Sequence, residues 1–236
     1  LSPRFALLGG DIAYANAMET CYRRWDRWFD AWEDTMVTPE GNYIPMATSI
    51  GNHESGGRYP HIDINDVPFY FDYLTPGIMT TTPTTPMERR AYYSYYIGDR
   101  TLIVSLDSSM VTEVPGTQTE WLETKLKEFW EKQATLPPSD YKSRVLVFYH
   151  VPMWSSEQGA SPEGSLVADN WGPLFAKYNV TVSLEHHTHR YGRTFMLEHE
   201  VRNTSLSLSL SLSLSLSLSL SIYHSLSFTH NMTQIG

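Results

Sequence analysis

Only one cysteine, Cys21, occurs in 236 residues. No intramolecular disulfide can form, and cysteine usage leaves the compartment open. Basic residues are also scarce: 17 Lys and Arg stand against 26 Asp and Glu, a formal charge of −9. That balance argues against nucleic acid or an anionic membrane as partner, because both are bound by clustered cations. No apolar run reaches the roughly 18 residues that a membrane-spanning helix requires. The motifs G-x-S-x-G, G-x-x-x-x-G-K and G-x-G-x-x-G are all missing, which removes the commonest serine-hydrolase and nucleotide-binding readings.

What is present suits a folded domain. Hydrophobic residues make up 41% of the chain and aromatics 13%, too many for wholesale disorder. Short apolar runs end in polar clusters at 4–11 ("RFALLGGD"), 45–55 ("PMATSIGNHES"), 144–150 ("RVLVFYH") and 180–189 ("VTVSLEHHTH"). They read as buried strands, with a further strand at 101–107. Between them, residues 18–36 place Tyr22, Trp25, Trp28, Phe29 and Trp32 at helical spacing. Residues 119–133 do the same with Leu122, Leu126, Phe129 and Trp130. Alternating strands and helices predict a layered α/β domain. The Thr- and Pro-rich stretch 75–90 reads as an exposed loop.

The polar clusters fall at strand C-termini, where open α/β sheets place their ligands. They offer Asp11 and Tyr14, Asn52 and His53, His150, and His187 with His189. Carboxylate, phenolate, amide oxygen and imidazole form the donor set of a hard to borderline metal such as Fe, Mn or Zn. Each piece has a bland alternative: Asp11 as a turn residue, His150 as a satisfied core histidine, His187 and His189 as a surface pair. In an extended segment His187 and His189 would point to the same side. The ordered conjunction favours a metal site.

That order, GD-x-x-Y (Gly10, Asp11, Tyr14), GNHE (Gly51–Glu54), V-x-x-H (Val147, His150) and H-x-H (His187, His189), resembles the calcineurin-like metallophosphoesterases and, within them, the purple acid phosphatases. The resemblance covers roughly residues 4–198. It implies a β-sandwich flanked by helices and a binuclear centre, Fe(III) paired with Zn, Fe or Mn. Asp11 would bridge the metals. Tyr14 and His189 would complete the first site, and Asn52, His150 and His187 the second. His53 would contact substrate phosphate or protonate the leaving alkoxide. Glu54 and Glu185 would support the ligands from behind, Glu185 by orienting an imidazole. His186 stands where most relatives carry glycine, and it reads as a spacer or a supporting donor. The implied activity is hydrolysis of small phosphate esters, monoesters foremost, by a water that two cations activate. The compartment stays open, secreted or vacuolar by family analogy, as does the oligomeric state.

The sequence also departs from that pattern. The family's earlier D-x-G motif, another first-metal ligand, is missing, and so are the strands expected after H-x-H; both lead us to expect a partial domain over 1–200. From Ser205 to Leu220 the chain is eight Ser-Leu repeats. The segment 201–236 reads as disordered low complexity or as translated non-coding repeat. Two other functions stay open: a phosphodiesterase or nucleotide hydrolase, and a non-catalytic fragment.

Overall fold

In the computed structural model, residues 3–56, 63–74, 90–154 and 161–193 are described. The loop expected at 75–90 and the Ser-Leu segment fall almost wholly outside them. The chain divides into two units, Leu1–His189 and Arg190–Gly236; every element below belongs to the first. Of the second, only residues 190–193 are described, and they carry no regular secondary structure.

The first half builds a parallel pair, β1 (Ala6–Leu8) and β2 (Met46–Thr48), joined through helix α1 (Arg23–Thr35). A short helix α2 (Tyr70–Tyr73) follows. The second half builds a four-stranded sheet in the order β3 (Tyr93–Ile97), β4 (Thr101–Ser105), β5 (Arg144–Tyr149) and β6 (Val182–Glu185). β3 pairs antiparallel with β4, while β4, β5 and β6 run parallel. Parallel neighbours need long crossovers, and helices α3 (Thr117–Thr135) and α4 (Pro162–Lys177) supply them.

Period-two alternation sorts the residues of this sheet. Leu102 and Val104 of β4, with Val145, Val147 and Tyr149 of β5, face the principal core. There they meet Leu122, Leu126 and Phe129 of α3 and Trp171 of α4. The 3- and 4-residue spacing read at 119–133 is thus the stripe that α3 buries. On the opposite face the two sheets meet through polar contacts. The Tyr93 hydroxyl donates to the Thr48 carbonyl at 2.7 Å and accepts from the Thr48 N–H at 2.9 Å, and the Ser105 hydroxyl reaches the same carbonyl at 3.1 Å. The fold is therefore mixed α/β with helices flanking a sheet, as the sequence led us to expect.

Two elements were not singled out from the sequence. The tyrosine-rich stretch before 101 is a strand, β3, in which the Tyr93 and Tyr95 rings stack on one face. Helix α4 was not among the elements read from the sequence, and Gly172 and Pro173 oppose it locally. Yet Ser161 caps its start by accepting the Gly164 N–H at 3.0 Å, with Pro162 at the first helical position and Pro173 held inside the helix.

Candidate metal centre

The parallel strands β1, β2, β5 and β6 each hand over to one of the polar clusters at their C-terminal ends. Close approach of backbone makes this possible. Gly10 has φ +86°, and a Cβ there would lie 2.5 Å from the Gly51 nitrogen; a Cβ on Gly51 would lie 2.4 Å from the Asp11 nitrogen. The Gly-Asp of the first cluster and the Gly-Asn of the second therefore interlock, and only glycine fits at the crossing.

Four of the expected donors converge. His150 Nε2 lies 2.8 Å from Asn52 Oδ1 and 3.2 Å from Asp11 Oδ2. His187 Nδ1 lies 3.0 Å from both Asn52 Oδ1 and His150 Nε2. Ligand atoms of Asp11, His150 and His187 all lie within 4.8 Å of one another. Donors about 2.1 Å from a tetrahedral cation stand about 3.4 Å apart, so these need spread by only a few tenths of an ångström to hold one. On that measure the residues fit a metal ion. His150 is fully buried, and its Nδ1–H donates to the Gly9 carbonyl at 2.7 Å. That bond turns Nε2 toward the cluster, the usual way a second partner orients a liganding imidazole.

Tyr14 and His189, the other two expected donors, meet each other. The Tyr14 hydroxyl lies 2.8 Å from His189 Nε2. The Tyr14 ring also packs against His53, centroids 4.0 Å apart. His53 Nδ1 bonds the Asn16 side-chain oxygen, and its backbone N–H donates to Asp11 Oδ1 at 2.9 Å. Asn16 was not singled out from the sequence. It lies five residues past Asp11 in the same loop, and only the folded turn brings it to His53.

The segment that carries His187 and His189 is not extended, contrary to expectation. β6 ends at Glu185, and the chain bends, with the Thr188 N–H donating to the His186 carbonyl at 2.7 Å. His187 and His189 sit at φ +66° and +50°, and Asp11 and Tyr14 at +55° and +53°. Left-handed backbone at a non-glycine residue is costly, and it gathers where a fold holds side chains for a purpose.

The two supporting carboxylates do different work. Glu54, buried, accepts the backbone N–H groups of Asp11 (2.7 Å), Ile12 (2.7 Å) and Gly51 (2.8 Å). Among the described residues, Glu185 bonds no imidazole. It accepts from the Tyr149 hydroxyl at 2.5 Å and the Ser183 hydroxyl at 3.3 Å, and it also takes the backbone N–H groups of Met153 and Trp154. It therefore pins the loop that follows His150. The reason is the bend itself: Glu185 is still in strand register with Tyr149, while the histidines have turned away.

Charge follows burial. Desolvation pushes the Asp11 carboxyl up, but the hydrogen bond and charge of His150, with the His53 N–H, outweigh it and hold Asp11 below its ordinary value. Burial, assisted by the Asp11 and Glu54 charges, raises the Tyr14 phenol. Burial lowers His186 and His187, and the neighbouring His150 lowers both further. A cation is the natural counterweight to such a set.

Fold and site together define a mixed α/β protein with metal-ligand side chains gathered at its strand ends. No family model matches the chain. The structure of purple acid phosphatase PPD1 from yellow lupin (Lupinus luteus) seeds is similar with a TM-score of 0.55 and 18% identity, covering 80% of this chain and 31% of that one. Probable inactive purple acid phosphatase 9 of Arabidopsis thaliana is 26% identical over 210 residues, 78% of this chain and 29% of its own length. Purple acid phosphatase 18 of the same plant is 24% identical over 193 residues, 80% and 38% respectively. An uncharacterized protein of Mycobacterium tuberculosis (strain ATCC 25618 / H37Rv) is 25% identical over 209 residues, 84% of this chain and 36% of its own. The chain thus spans about a third of the length of these relatives. Its sequence is similar to those of purple acid phosphatases, and its fold resembles that of one of them.

Proposed function

We propose that the protein hydrolyses phosphate esters, monoesters foremost, at a binuclear metal centre. The convergence of Asp11, Asn52, His150 and His187 from four strand ends carries this reading. These four would hold one cation, and Asp11, Tyr14 and His189 the other. The donor set suits Fe(III) with Zn, Fe or Mn. When bound, the cations supply charge neutralisation for phosphate and acidify a coordinated water.

The chain's own residues do the rest. Gly9 and Asp11 orient His150 from either ring nitrogen. Glu54 fixes the backbone of Asp11 and Gly51, so that carboxylate and amide oxygen stay opposed. His53, held by Asn16 beside Tyr14, would stand at the rim to bond a phosphate oxygen or to pass a proton to the departing alcohol. The substrate is a small phosphate ester, and the cations let an acidic chain attract it.

The deciding assay is hydrolysis of p-nitrophenyl phosphate by the complete gene product. Asp11→Asn should abolish it, and full activity in that variant would end the case for a bridging carboxylate. Comparison with bis-p-nitrophenyl phosphate separates monoesterase from diesterase.

A further inference from the structure

We propose that His186 is a positioning residue for His150, clamping three strand ends with one ring. The proposal rests on the metal reading above. Its backbone N–H donates to the His150 carbonyl at 3.1 Å, and its ring Nδ1 lies 2.9 Å from the Tyr149 carbonyl. A carbonyl only accepts, so Nδ1 carries the proton. His186 thereby holds the last two carbonyls around the end of β5, one residue beyond the final register pair of Tyr149 with Glu185.

The third strand end is that of β1. A Cβ on Gly9 would lie 1.7 Å from His186 Nδ1 and 1.9 Å from its Cγ. The backbone at Gly9 is not left-handed, and the three atoms nearest to such a Cβ all belong to the imidazole, which excludes a side chain there. Positions 9 and 186 share one volume. The Gly9 carbonyl in turn receives the His150 Nδ1–H at 2.7 Å, so the ring that seats Gly9 also sets the acceptor that orients His150. One imidazole thus lies against the ends of β1, β5 and β6 together.

The test is Zn²⁺ affinity of the full chain, measured by competition with a chromophoric chelator, alongside the thermal midpoint. His186→Gly should weaken Zn²⁺ binding about 10- to 100-fold, the range for loss of an outer partner. His186→Asn, which keeps a short N–H donor near the Tyr149 carbonyl, should recover part of the loss. Gly9→Ala alone should lower both affinity and midpoint, and the double variant Gly9→Ala/His186→Gly should regain midpoint relative to Gly9→Ala. Wild-type affinity in His186→Gly overturns the proposal, as does a Gly9→Ala chain that is undisturbed, or a double variant no better than Gly9→Ala. His187→Ala serves as the control. If it binds Zn²⁺ like wild type, the metal reading itself fails; if it alone loses the ion, only the role of His186 fails.

Discussion

Glu54 and Asp11 are 43 residues apart in sequence, yet the Glu54 carboxylate takes the Asp11 backbone N–H at 2.7 Å. The same carboxylate takes two further N–H groups, from Ile12 and Gly51. A buried side chain thus replaces the ladder where β1 and β2 stop pairing. Glu54→Ala would leave three donors without a partner, each costing about 1–3 kcal/mol. We expect a loss of roughly 3 kcal/mol or more in urea unfolding, together with weaker metal binding. A variant within 1 kcal/mol of wild type, about the net value of one ordinary hydrogen bond, would contradict this.

The two halves of the site are unequal. Among the described residues, the sole group of three or more His, Cys, Asp or Glu side chains able to hold a metal is Asp11, His150 and His187. Titration of the full chain with Zn²⁺ should therefore give one tight equivalent and one weaker. His187→Ala should abolish the tight step, whereas His189→Ala and Tyr14→Phe should affect only the weak one. Two equally tight equivalents would show that residues beyond Asp11, Tyr14 and His189 complete the first site.

Asp107, which is not one of the candidate metal ligands, offers a pH test. Burial pushes its carboxyl from the ordinary 3.8 up to about 6, against the pull of the Met110, Val111 and Thr112 N–H groups. The folded state then holds this proton more tightly than the unfolded chain. The resulting stabilisation is complete below about pH 4 and is lost as pH rises through about 6. For a carboxyl displaced that far it amounts to roughly 3 kcal/mol. The stability of wild type minus that of Asp107→Asn should fall by about that amount between pH 4 and pH 7. A difference that stays level or rises would mean that the three N–H donors outweigh burial.

Much of this fold was legible because local pattern and tertiary environment agree. Leu122, Leu126 and Phe129 announce α3 by spacing and are buried on it. The runs read at 4–11, 45–55, 144–150 and 180–189 hold the strands β1, β2, β5 and β6, whose C-terminal ends meet. Helix α4 was hidden because Gly172 and Pro173 oppose it locally, while Trp171 and Leu174, packed in the main core, override them. At the site, residue types were readable but distances were not. Nothing in the spacing of Asn16 pointed to His53, and nothing in Glu185 pointed to Tyr149, because both contacts depend on where a turn sends the backbone. The left-handed bends at His187 and His189 likewise defeat an argument from strand alternation.

Those bends have a thermal consequence. Asp11, Tyr14, His187 and His189 all occupy left-handed backbone, and each such residue carries a penalty of about 1–2 kcal/mol. The surrounding strands hold that tension, so the donor-bearing loops are the first parts to relax when the chain is warmed. Amide hydrogens across 186–189 should exchange with solvent well before those of β5, and heating should disarm the site while the sheets are still intact.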